Sequence, residues 1–165
     1  FGQGFQPVCG FNYGAKKYDR VIKSYVFALA CTTGFALVVS VVGFALAGPV
    51  TAAFTVDELA REYSRAAFRA QCAFFALTPF ITVSNMLLQN IGKVVRATTL
   101  AVARQGIAYI PLVFLGGFLM GATGLEVAQA AADLLTALIC VPIVVPVLVG
   151  IKRLASLKPQ ETARE

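Results

Sequence analysis

The sequence predicts an all-α, polytopic membrane protein with four transmembrane helices. Charged residues are absent from Ser24 to Phe54, from Ala70 to Gly92, from Gln105 to Leu125 and from Leu134 to Ile151. Each run is roughly 18 residues or longer, enough to cross a hydrocarbon core of about 30 Å as a helix. Composition agrees: mean hydropathy is +0.78, and charged residues make up 13% of the chain, about half the soluble norm. The remaining charges are sorted between the runs as membrane topology requires.

Residues 1–23 are Gly-rich and aromatic. Gly10, Asn12 and Gly14 are turn formers and Pro7 limits the backbone before them, so a structured loop at the membrane surface is expected. The chain opens inside this segment without a Met, and a fragment with further chain upstream is expected. Residues 24–151 form the predicted four-helix bundle, with spans at about 24–48, 67–91, 98–120 and 125–151. Gly48-Pro49 marks the end of the first span. A charged connector follows, where Thr55 caps a short surface helix with Glu58 three residues on. Lys93 and Arg96 form a basic turn before the third span. Gly121 to Gly124 read as a tight turn before the fourth, and 152–165 as a tail.

Alternating spans place Lys16, Lys17, Arg20, Lys23, Lys93, Arg96, Lys152, Arg153 and Lys158 on one face, and Arg61, Arg65 and Arg69 on the other. The positive-inside rule makes the first face cytoplasmic, with both chain ends there and the chain multi-pass in the cytoplasmic membrane. The net charge of +6 is thereby assigned to orientation. Nucleic acid is a poor explanation, because the basic residues form no single exposed module. Cys9, Cys31, Cys72 and Cys140 contain no CxxC pair, and there is no His, so they read as small apolar filler rather than as metal ligands.

Inside lipid, polar side chains must face a partner helix or a water-filled cavity. At about 100° per residue, Gln71, Thr78, Thr82, Asn85 and Gln89 of the second span fall within an arc of roughly 60°. Glu126, Gln129, Asp133, Thr136 and Cys140 of the fourth fall within about 80°. Asp133 lies about 12 Å into its helix, where a carboxylate costs about 2.5–3.5 kcal/mol. It is read either as a proton, cation or cationic-substrate site, or as an interhelical hydrogen-bonding group. Thr78, Thr82, Asn85, Gln89 and Gln129 either line a pathway or bind helix to helix. Arg104 is read either as a snorkelling side chain or as a cytoplasmic gate contact. Pro79, Pro111, Pro142 and Pro146 permit kinks within spans. Gly117 and Gly121 form a GxxxG pair suited to close packing.

The stretch from Gly4 to Val21, GFQPVCGFNYGAKKYDRV, resembles the cytoplasmic loop motif of the multidrug and toxic compound extrusion (MATE) family. The motif's Gln-Pro, Asn-Tyr-Gly-Ala and basic stretch correspond here to Gln6, Pro7, Asn12, Tyr13, Gly14, Ala15, Lys16 and Lys17. SNMLLQNIGK (Ser84 to Lys93), ARQGIAYIPL (Ala103 to Leu112) and AQAAADLLTAL (Ala128 to Leu138) follow in the family's order. The resemblance implies the last four helices of the C-terminal lobe of a two-lobe, twelve-helix antiporter. Its members export cationic or amphipathic drugs in exchange for sodium ions or protons. The partners implied are the lipid bilayer, the remaining helices and those small molecules. No cofactor is implied beyond the coupling ion, whose carboxylates lie largely in helices outside this chain. Asp133 would then be an accessory group, and the Gln6 to Lys17 segment a structural hinge. A non-transporting scaffold or truncated remnant, or a lipid-linked oligosaccharide flippase of similar architecture, are the alternatives. An intramembrane enzyme is disfavoured, because no Ser or Cys stands beside a plausible base.

Overall fold

The computed structural model describes residues 2–54 and 57–161. Among them the chain is all-helical: α1 (Gly2–Gly14), α2 (Tyr18–Ala45), α3 (Ala47–Phe54), α4 (Glu58–Phe75), α5 (Thr78–Asn90), α6 (Val94–Val102), a π-helical segment (Ala103–Ala108), α7 (Tyr109–Met120) and α8 (Ala122–Glu161). Tyr18–Ala45, Val94–Phe118 and Ala128–Leu157 are each long and apolar enough to cross a membrane. A fourth crossing exists if the bent pair α4–α5 counts as one broken span.

The expected surface loop at 1–23 is instead helical over Gly2–Gly14 and again from Tyr18, with a turn at 15–17 between. Phe5, Cys9 and Asn12 recur at helical spacing and are all buried, so one face of α1 packs as an amphipathic helix does. Pro7 sits inside it, where it forgoes the N–H that would otherwise bond the Gln3 carbonyl one turn upstream. The turn after α1 is a Schellman arrangement: Lys17 N–H donates to Asn12 O and Lys16 N–H to Tyr13 O. Lys16 takes the left-handed position (φ 55°) that glycine usually fills.

Further expectations are revised. α2 ends at Ala45, where Leu46 N–H bonds Val42 O, before Gly48-Pro49. Pro49 lies in the first turn of α3, a position that tolerates proline. The connector and the start of the second span fuse into α4, because nothing from Glu58 to Phe75 is Gly or Pro. This span then breaks by 49° between Phe75 and Thr78. Pro79 at the start of α5 supplies no N–H to continue the upstream ladder. The tail beyond 151 is helical as far as Glu161, giving α8 a length of about 60 Å at 1.5 Å per residue. The turn between α7 and α8 is Gly121 alone (φ 61°). A tight helix contact there is made by Gly116 and Gly124, whose backbones touch across the hairpin. The Thr55 cap and the side chains of Glu126 and Lys158 lie outside the described residues.

The core gathers Val21, Tyr25 and Ala28 of α2, Ile81, Leu87 and Leu88 of α5, Leu100 of α6, and Cys140, Val144 and Val147 of α8, with Phe5 and Cys9 of α1 sealing one end. Two buried polar contacts fix the helix pairing. Tyr25 and Ser84 share a hydrogen bond of 2.8 Å between α2 and α5. Ser40 Oγ donates to Cys72 O at 2.6 Å between α2 and α4. Large apolar side chains such as Phe27, Phe35, Phe114 and Phe118 stay exposed, as expected where the surrounding solvent is hydrocarbon.

Candidate functional site

The site forms where three helix irregularities meet. Pro111 lacks the N–H that would bond the carbonyl one turn upstream, and the π-helical segment lies directly there. Such one-turn π insertions recur at functional sites. This widened turn carries Arg104 and Gln105. Opposite stands α5, freed from α4 by the Pro79 break, and α1 closes one end.

Arg104 reaches across to α8. Its Nε donates to Asp133 Oδ1 at 2.9 Å, and Gln129 Nε2 donates to the same oxygen at 3.4 Å. Asp133 is 1% exposed and the Arg104 side chain 27%. The snorkelling account of Arg104 is therefore replaced: its guanidinium is held by a buried carboxylate. The α8 seam turns inward as its arc implied. Asp133, Thr136 and Cys140 are buried, Gln129 is half-buried, and Thr136 Oγ1 bonds Ala132 O.

Beside this pair opens a cleft of about 240 Å³, lined among others by Gln6, Thr82, Asn85, Gln89, Arg104 and Gln105. Gln89 Nε2 donates to Asn85 Oδ1 at 3.2 Å, leaving Asn85 and Gln89 with further polar atoms for a ligand. The fold thus brings together residues that lie far apart in the chain. Asp133 stands behind the cleft, touching it only through Arg104. Thr78 is not in the lining; its Oγ1 is buried with no hydrogen-bond partner among the described residues. Gln71 lies in α4, beyond the break, so the five-residue arc is interrupted and only Thr82, Asn85 and Gln89 of it line the cleft.

Of the α1 motif, Gln6 reaches the cleft and the others serve the fold. Asn12 Nδ2 donates to Val8 O at 2.8 Å. Tyr13 packs edge-on to Tyr18, with centroids 5.7 Å apart. Pro7 is exposed and Gly14 ends the helix. Sequence reasoning placed Gln6 in a hinge remote from any ligand; its helical position relative to Asn85 and Gln89 was the missing information. All four cysteines are free, and Cys9, Cys72 and Cys140 are buried. Burial pushes the Cys9 thiol up to about 11.

A helical, multi-pass membrane protein with a polar seam between broken and unwound helices has the architecture of a transporter lobe. The MatE family model matches residues 1–115, and the chain belongs to that family. It is similar to the inward-facing structure of a multidrug resistance MATE family transporter of the MOP superfamily (18% identity, TM-score 0.81, 92% of this chain and 36% of that one). It is also similar to the Vibrio cholerae MATE transporter VcmN in the bent form (17%, 0.78, 90% and 34%). A MATE crystallised in complex with MaL6 matches as well (18%, 0.81, 92% and 35%). Identities this low establish the fold. The chain spans about a third of the length of these transporters. No curated protein sequence matches it.

Proposed function

We propose that these helices form the end of the C-terminal lobe of a cation-coupled antiporter that exports cationic or amphipathic drugs across the cytoplasmic membrane by alternating access. The family match carries this reading. In it the protein is a carrier and not an enzyme, and the basic turns face the cytoplasm.

The cleft of about 240 Å³ is smaller than the 300 Å³ or more typical of drug-sized pockets. It acts as one wall of a larger cavity shared with the remaining helices. Thr82, Asn85, Gln89 and Gln6 offer hydroxyl and amide oxygens that accept hydrogen bonds from a cationic or polar substrate. Arg104 would repel a cation if unpaired, and the Asp133 carboxylate at 2.9 Å neutralises it. That carboxylate is occupied by the guanidinium, which supports assigning sodium or proton coupling to groups outside this chain. Breaks at Pro79 and at the π segment supply the points where helices bend as one lobe rocks against the other.

The test is efflux of a cationic dye from cells producing the polypeptide that carries these helices, with the sodium and proton gradients collapsed separately. Efflux driven by one gradient, and slowed by Asn85→Ala with Gln89→Ala, is expected. Unchanged rates in that variant would remove the cleft from the pathway, and absence of gradient-driven efflux for a panel of cationic and amphipathic dyes would remove drug export. A flippase for anionic lipid-linked sugars calls for several cavity cations. The cleft lining contains one, Arg104, already paired.

A further inference from the structure

A second cavity lies on the basic rim of the molecule, with none of its lining residues shared with the first. About 400 Å³ in volume, it is lined by Lys16 and Lys17 of the turn after α1, by Tyr18, Asp19, Arg20 and Lys23 from the start of α2, and by Ala155 of α8. Four cations there face a single carboxylate. Lys152 and Arg153 stand within one turn before Ala155 on the same helix, so both helices carry positive charge close to the hollow.

We propose that this hollow binds the headgroup of an anionic phospholipid in the adjoining leaflet. Basic pockets between transmembrane helix ends recognise such headgroups. Three features favour a lipid as the source of the phosphate. The cavity sits at the end of α2, a membrane-spanning helix. The Tyr13–Tyr18 pair beside it is of the type enriched at the membrane–water boundary. Immediately inward, Val26 and Phe27 of α2 and Val149 and Leu154 of α8 are exposed apolar side chains, a surface for acyl chains. The lysine and arginine groups read the phosphate, and Asp19 discriminates against a second negative charge close to the helix start. The site lies outside the drug cleft and does not depend on the drug-export reading.

The test uses the intact membrane protein purified in mild detergent, with native mass spectrometry during titration by phosphatidylglycerol or phosphatidylcholine. One phosphatidylglycerol should be retained per protein, with phosphatidylcholine lost at the same collision energy. Each basic group near a charged membrane surface contributes about fivefold in affinity, so Lys17→Gln, Arg20→Gln and Lys23→Gln together should weaken retention about a hundredfold. Lys17→Arg with Lys23→Arg should retain the lipid, which also shows that loss is not misfolding. Lys93→Gln with Arg96→Gln removes two basic charges elsewhere and should leave retention unchanged. An equal loss in that control would show bulk attraction instead of a site and overturn the proposal. So would equal retention of both lipids, retention of neither, or displacement of phosphatidylglycerol by millimolar inorganic phosphate.

Discussion

Removing Arg104 should harm the protein more than removing the charge of Asp133. The two meet at 2.9 Å, with Asp133 1% exposed. At an effective dielectric of about 20 their attraction is about 6 kcal/mol before desolvation is subtracted. Breaking a buried pair from one side typically costs about 3–5 kcal/mol, because the survivor is left as an uncompensated charge. Arg104→Gln leaves Asp133 with only the long Gln129 contact of 3.4 Å, so the full cost applies. Asp133→Asn keeps a carbonyl oxygen in place to accept from Nε, and the surviving guanidinium is 27% exposed and reaches water. Its cost should be nearer 1–2 kcal/mol, the range of a weakened charged hydrogen bond. The double variant should be less unstable than Arg104→Gln alone, since no unpaired charge remains. Reversible unfolding in mixed micelles, read as a double-mutant cycle, measures the coupling. A coupling below about 0.5 kcal/mol, or Asp133→Asn more damaging than Arg104→Gln, would show that the pair does not hold α8 against the π segment.

Gly124→Ala drives a methyl into the Gly116 backbone and should cost about 1–3 kcal/mol as overpacking. Gly150→Ala, with open space around it, should be neutral or slightly stabilising in the same melts. Tyr25→Phe loses the 2.8 Å bond to Ser84 and should cost about 1–3 kcal/mol, because a buried hydroxyl is stranded; Ser84→Ala added to it should cost little more. Cys9 should resist N-ethylmaleimide in the folded protein. Its folded pKa is raised from 9.0 to about 11, so its thiolate stays scarce below pH 9 and grows only as pH approaches the raised value. The same direction means that the neutral thiol is favoured in the fold: its stabilising contribution is unaffected at neutral pH and declines as pH rises above 9 through 11. Labelling of Cys9 as fast as the half-buried Cys31 at pH 7.5 would contradict this burial.

Much of the architecture was readable because hydrocarbon is a severe solvent. It excludes charges from spans, so the expected spans at about 24–48, 98–120 and 125–151 overlap α2, the stretch from α6 to α7 and α8, although α2 begins at Tyr18 and α8 runs on to Glu161. The arc formed by Gln129, Asp133, Thr136 and Cys140 identified the buried face of α8 for the same reason. The helical nature of α1 was hidden behind Gly10, Asn12 and Gly14, whose turn preference yields when Phe5 and Cys9 can pack on Tyr25 and its neighbours. The break near Ala76 was signalled by Pro79, but the size of the bend depends on what α4 and α5 pack against.

The sequence alone showed that the chain suits a bilayer, which stretches are apolar enough to cross one and which side of α8 turns inward, because each follows from the transfer cost of local groups. It could not say that Arg104 would meet Asp133, that Gln6 would join Asn85 and Gln89 at one cleft, or that Gly116 would touch Gly124. Those are pairings between distant helices. Their geometry is decided by helix crossings and by the extra rotation of one widened turn, which no one-dimensional pattern records.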